Sequence, residues 1–323
     1  MKEVLIIYYS QSGQLLDIVQ NLASSLDSEK VNITYYRIQP ENDYKFPWKQ
    51  DEFYDAFPES FLQIPCKLHP PKADILEKKY DLVILGYQVW YLTPSIPINS
   101  FLKSDFAKKI LHKTPVVTVI ACRNMWLMAQ EKMKGLLISC NAQLMGNIAL
   151  VDRHINHISV ITIVHWMLGG KKTKYLGIFP KPGVSDEDIK SSKKFGIPIN
   201  QSLLSNDYTN LQNNLLKLDA VKVKPLLIQT DIRGNVLFTK WANLIIKKGP
   251  TGNPKRKKLL VLFKYYLLFA IWAIAPIVFI VFLATYIPLY SKIKRDKAYY
   301  SSVSLKNNCI SANSPKSTII LYI

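Results

Sequence analysis

The chain has 323 residues, 49% of them hydrophobic, and a formal charge of +19. It can bury one full core and still carry an appendage. Its charge alone admits nucleic acid or an acidic membrane as partner, but Tyr265 to Tyr290 is free of charge and lies between basic clusters, so membrane lipid is favoured over nucleic acid. Cys66, Cys122, Cys140 and Cys309 form no C-x-x-C pair and no metal-ligand spacing, which reads as reduced thiols with no metal site.

Short runs rich in Val and Ile, bounded by turn residues, predict buried strands at Val4–Tyr9, Val31–Ile38, Asp81–Gly86, Pro115–Ala121 and Leu144–Val151. Helical spacing joins them: Leu15, Ile18, Val19, Leu22 and Leu26, then Ala73–Lys79, Ile98–Phe106 and Trp126–Ser139. Strict alternation of the two element types predicts an α/β unit over residues 1–151, with a parallel sheet between helical layers. The run Val4–Tyr9 is too short for the core of a signal peptide, so the globular part is expected in the cytoplasm.

An insertion over residues 40–71 breaks the rhythm. It carries Tyr44, Phe46, Trp48, Phe53, Tyr54, Phe57 and Phe61, and so reads as a lid and not as disorder. Residues 152–248 read as an appended helical region: Ser185 with Asp186, Glu187 and Asp188 marks one helix start, and Tyr208–Val221 and Val236–Ile246 follow. "KKGPTGNPKRKK" then precedes the apolar segment 259–290. As a helix, Tyr265–Tyr290 would reach about 39 Å, more than the roughly 30 Å of bilayer hydrocarbon. Pro276 and Pro288, with cations on both flanks, leave a spanning helix and a re-entrant element both open. The tail 291–323 is basic and polar. Together these place the protein at the cytoplasmic face of the inner membrane, anchored through 259–290.

The loop after the first strand, "SQSGQ", lies at a strand's carboxyl end beside a helix N-terminus, where unpaired amides favour an anion. Ser10 and Ser12 can donate hydroxyl hydrogen bonds, and Gly13 lets the backbone approach a phosphate. The second element, "DLVILGYQVWYLTPSIPINSFL", is a buried strand followed by aromatics and prolines. With both elements in this order, residues 1–151 resemble the flavodoxin-like flavoproteins, which include flavodoxins and quinone reductases. That resemblance implies an open, doubly wound parallel sheet of five strands holding flavin mononucleotide (FMN). It carries Ser10, Gln11, Ser12, Gly13 and Gln14 over as phosphate contacts and Tyr87, Trp90 and Tyr91 as ring contacts. Cys122, Arg123 and Asn124 fall on the other loop that borders the ring. One departure is Leu15, where many flavodoxins have Thr or Ser.

Across the whole chain, "YYSQSGQL", "FPES", "LGYQVWYLTPSIP", "GNIALVDR" and "LGIFPKPGVSDEDI" are similar to the bacterial dialkylresorcinol condensing enzyme family. This resemblance implies a ketosynthase partner and a role as the aromatase that oxidises a dialkyl cyclohexanedione to a resorcinol, with FMN as oxidant. No Cys-His-Asn or nucleophile-elbow pattern supports a condensing role. In "DRHINHISV", His154 and His157 are base candidates, and Arg153 or Arg123 could steady an enolate oxygen. A lipophilic cyclic diketone or a quinone suits the apolar segment. The other readings are a nicotinamide-dependent quinone reductase, a membrane-tethered electron carrier and a flavin-free scaffold that recruits a ketosynthase.

Overall fold

The computed structural model describes residues 1–305; Cys309 and the rest of the tail lie outside the described residues. Val4–Ile7 are fully buried because their strand has neighbours on both sides and helices on both faces. This strand, β1 (Lys2–Tyr8), leads through a turn into α1 (Gln14–Ala23), whose Leu15, Ile18, Val19 and Leu22 bury one stripe on the sheet. After β2 (Val31–Arg37), the insertion folds as α2 (Gln50–Asp55) and α3 (Phe57–Phe61). α4 (Ala73–Leu76) precedes β3 (Leu82–Trp90), which turns back into the two-residue β4 (Thr93–Pro94). α5 (Ile96–Leu102), α6 (Asp105–Leu111), β5 (Pro115–Cys122), α7 (Leu127–Ser139) and β6 (Gln143–Val151) complete the unit.

The sheet order is β2-β1-β3-β5-β6, parallel throughout, with β4 an antiparallel addition to β3. Renumbered over the parallel strands alone this is 2-1-3-4-5, the flavodoxin-like doubly wound order, whose ligand crevice lies outside the carboxyl ends of the strands where the order reverses. Here that place is the end of β1 and β3.

Three elements depart from the expected boundaries. β3 does not stop at Gly86 but runs on to Trp90; Gly86 is an internal residue where a Cβ would meet Val19 Cγ1 at 3.1 Å, so it lets α1 sit close. The helix expected over Ile98–Phe106 divides, because Ser104 caps a new helix by accepting from Ala107 N at 3.2 Å. The apolar segment is one helical run, Pro254–Thr285, long and apolar enough by length and composition to cross a membrane. Pro276 does not break it. A π turn at Ala270–Ile274 widens the backbone just where the proline ring would strike the carbonyl four residues back.

Beyond β6 come α8 (Asn156–Gly169), α9 (Asp186–Ser191), α10 (Lys193–Ser205), α11 (Leu211–Lys217) and the long α12 (Pro225–Ile246). Helix α10 packs on α1 through Gly196, where a Cβ would lie 2.2 Å from the Leu22 carbonyl oxygen. Helix α11 covers β6, with Leu211 and Leu215 over Gly146. α13 (Lys257–Phe269) and α14 (Ala275–Thr285) flank the π turn, and α15 (Tyr290–Ser301) returns towards the body.

Candidate functional site

β1 and β3 pair with Tyr8 opposite Gly86; Gln88 follows two residues further along β3 on the α1 side of the sheet, as Gly86 does, and Ser10 lies in the loop just past the end of β1. Both carry a buried polar atom without a hydrogen-bond partner among the described residues, Ser10 Oγ and Gln88 Oε1. The loop after β5 adds a third, Asn124 Oδ1. Buried polar atoms are nearly always satisfied in folded proteins. Three orphans along one carboxyl edge therefore mark a place built for a polar ligand or bound water. Gly13, at φ 85°, caps α1, and a Cβ there would meet nothing within 4 Å, so the helix N-terminus opens on free space.

Gln11 and Gln14 do not point into that space. Gln14 pairs with the backbone of Val184 like a strand neighbour: Nε2 donates to the carbonyl at 3.1 Å and Oε1 accepts from the amide at 3.0 Å. Gln11 Nε2 donates to the Tyr44 carbonyl at 3.1 Å. Both side chains tie covering segments to the loop, which leaves their backbone amides and the hydroxyls of Ser10 and Ser12 as the expected anion contacts.

The expected ring contacts are placed otherwise. Tyr87 is a correction: it is fully buried inside β3 and donates to Gln130 Oε1 at 2.6 Å, so it presents no face to a ligand. Trp90 is half-buried and edge-on to Tyr9 (6.0 Å), Tyr44 (5.1 Å) and Trp48 (5.3 Å) between ring centroids. Tyr91 donates to the Phe53 carbonyl at 2.6 Å and packs on Phe53 and Phe57. The insertion's own aromatics thus fill the side where a planar ring was expected. The insertion is a fixed cover, held by Trp48 N donating to the Met167 carbonyl (2.8 Å) and by Phe57 stacked on Phe263 at 3.9 Å.

The β5 and β6 ends bring a different group together. Arg123 Nη1 donates to Asn156 Oδ1 at 2.7 Å, and Asn124 Nδ2 donates to the same oxygen at 3.0 Å. Burial pulls the Arg123 guanidinium down to about 10, opposed by the nearby Asp152. Asp152 is itself buried and fixed, accepting from His154 N at 3.0 Å and Ser159 Oγ at 2.8 Å. Burial, with Asp231 nearby, pushes the Cys122 thiol well up, so it stays protonated.

The remaining base and charge candidates scatter. Arg153 is exposed and its Nη2 donates to Asp188 Oδ1 on α9 at 2.5 Å. His157 Nε2 lies 3.1 Å from the Ile271 carbonyl, with its ring against Trp272, so it serves the contact between α8 and the apolar helix. His154 remains exposed beside Asp152.

Sequence reasoning missed Gln88, Asn156 and a buried set on α12. Asp231 is fully buried; its Oδ2 accepts from Leu127 N at 2.8 Å and Met128 N at 3.3 Å and so caps α7 from outside. One turn along each helix, Asn235 Nδ2 and Lys132 Nζ are buried without hydrogen-bond partners among the described residues, as is Asp231 Oδ1. Lys132 lies 4.1 Å over the Phe61 ring. Burial drives its ammonium down to about 7 and the Asp231 carboxyl up to about 6. A lone carboxylate on the apolar spacing Ile228, Asp231, Phe238, Ala242, Ile245 was the visible signal.

No protein-family model matches this chain, and no curated protein is similar to it at a significant level. Among solved structures, it is similar to a flavoprotein in complex with FMN from Lactobacillus acidophilus NCFM, at 17% identity and TM-score 0.36, over 46% of this chain and 92% of that one. A flavoprotein described as putative, from Bacteroides eggerthii DSM 20697, has 17% identity and TM-score 0.36, over 53% of this chain and 100% of that one. A flavodoxin from the domain Archaea has 14% identity and TM-score 0.37, over 62% of this chain and 99% of that one.

Proposed function

We propose that the chain is a membrane-attached, FMN-dependent oxidoreductase that converts a dialkyl cyclohexanedione to a dialkylresorcinol. The observation that carries the flavin is the row of orphaned atoms at the carboxyl edge, Ser10 Oγ, Gln88 Oε1 and Asn124 Oδ1, beside the open amides at Gly13. A mononucleotide needs a phosphate cradle with polar partners for the ribityl chain and the ring rim, and these atoms offer them in that order along three adjacent strands. Since the insertion's aromatics close the Trp90 side, Arg123 and Asn124 are the residues that would border the ring.

Aromatisation removes a proton and a hydride from the dione ring, and FMN when bound supplies the hydride acceptor. Arg123, oriented by Asn156, would steady the oxygen that becomes anionic as the proton leaves. His154 is the histidine left at this edge to take that proton. Asp152 keeps local charge balanced behind Arg123. The exposed apolar helix brings an alkylated dione to the protein from the bilayer, where such a substrate partitions, and a ketosynthase is the partner whose chemistry would supply it.

Detergent-purified protein should be yellow and should convert a dialkyl cyclohexanedione to a product lighter by two hydrogens, read by mass spectrometry. A colourless protein after reconstitution with FMN would instead mark a flavin-free scaffold. Bleaching by reduced nicotinamide, with a quinone turned over and the dione untouched, would mark a quinone reductase.

A further inference from the structure

The apolar run Pro254–Thr285 is held to the globular body at its start, middle and end. At the start, Arg256 is fully buried, and its Nη1 and Nη2 donate to Glu59 Oε1 and Oε2 at 2.6 and 2.9 Å. Half-way along, His157 meets the Ile271 carbonyl at 3.1 Å. Past the run, α15 brings the chain back: Gln212 Nε2 donates to the Ser301 carbonyl at 2.8 Å, Lys134 Nζ to the Ser304 carbonyl at 2.8 Å, and Tyr299 OH bonds Glu131.

A spanning helix does not fit these contacts. α15 reaches about 18 Å, short of the roughly 30 Å of hydrocarbon. Returning across the membrane would also drag Lys292, Lys294, Arg295 and Lys297 through it, each costing about 3 kcal/mol or more at mid-bilayer.

The outward face of the run is apolar and exposed. Leu262, Tyr265, Phe269 and Trp272 recur every three or four residues, as do Ile277, Ile280 and Leu283 beyond them, with Ile287 exposed in the turn that follows. The two sets are joined by one step of five, from Trp272 to Ile277, at the π turn. That turn's extra residue keeps the second set in line with the first. Ile280 is 65% and Ile287 83% exposed, which water opposes and lipid does not. Lys257, Lys258 and Lys264 at one end and the α15 cations at the other match anionic head groups.

We propose that the apolar helix is a monotopic element, seated in one leaflet of an anionic bilayer by this stripe, with the residues before and after it on the same side as the globular body. The proposal rests on the membrane attachment proposed above and names its geometry.

The test uses the full chain, bound from outside to sealed vesicles of phosphatidylcholine and phosphatidylglycerol, and two exposed reporters, Lys248→Cys and Lys294→Cys. Each is treated with a membrane-impermeant maleimide, and labelling is measured above that of the unaltered protein. Both reporters labelled to the same extent with and without detergent is the result expected. Protection of one of them until detergent is added means a spanning helix and overturns the proposal. Failure to co-sediment with the vesicles at all overturns membrane attachment itself, a different result from protection.

Discussion

Arg256→Met tests how the apolar helix is fastened. The guanidinium is fully buried, forks onto both oxygens of Glu59, donates through Nη2 to the Asp55 carbonyl at 2.7 Å and brings Nε to 2.9 Å from Asp55 Oδ1. Burial already pushes the Asp55 carboxyl up even with Arg256 beside it. Methionine would fill the stem's volume but leave two enclosed carboxylates without a counter-charge. Removing one partner of a buried pair costs about 3–5 kcal/mol, whereas replacing the whole set by neutral groups is close to neutral. We therefore expect Arg256→Met to lose about 3–5 kcal/mol in denaturant unfolding in detergent, followed by tryptophan fluorescence. Adding Glu59→Met and Asp55→Leu, which removes both enclosed carboxylates, should restore most of the loss. A loss below about 1 kcal/mol in the single variant is what a solvated surface pair gives. It would refute the clamp and with it the fixed docking of the helix.

Asp231→Asn should show a pH signature. The folded carboxyl is raised to about 6 from 3.8, so ionising Asp231 costs stability as pH climbs through that window, and the cost is fully present above it. Asparagine keeps an acceptor for Leu127 N without the charge. The variant's stability relative to the parent should thus rise by about 2 kcal/mol between pH 4 and 7, and a flat difference would count against the burial of Asp231. Gly196→Ala should destabilise by about 1–3 kcal/mol, since the new methyl meets a backbone oxygen that cannot move aside; a neutral result in thermal melts would contradict the close approach of α10 to α1. His157→Phe should loosen α8 from the apolar helix, read as faster amide exchange around Ile271, yet leave FMN binding unchanged; loss of FMN would return His157 to the site.

The sheet was legible because alternation of buried runs and amphipathic spacing is a strong local signal, and each predicted strand lies in the sheet, β3 alone running well past its predicted end. What escaped was set by tertiary contacts. Gly86 looked like a strand end and is a close approach to α1. Gln11 and Gln14 looked like ligand contacts because nothing local reveals that Tyr44 and Val184 come to meet them from 33 and 170 residues away. Trp90 was expected in a loop after the strand, as a ring contact, yet it ends β3 and only the folded insertion shows that Tyr44 and Trp48 take its surroundings. Glu59, part of the quoted "FPES", gains its meaning from Arg256 at 197 residues' separation.

The claim that the carboxyl edge holds FMN is tested most directly by titrating the full chain with FMN and following quenching of flavin fluorescence, beside Ser10→Ala and Gln88→Leu. The account predicts saturable one-to-one binding by the parent chain. Ser10→Ala should weaken it about tenfold or more, the worth of one hydrogen bond to a charged phosphate, and Gln88→Leu should weaken it less. No binding by the parent chain, or equal affinity in all three proteins, would contradict it.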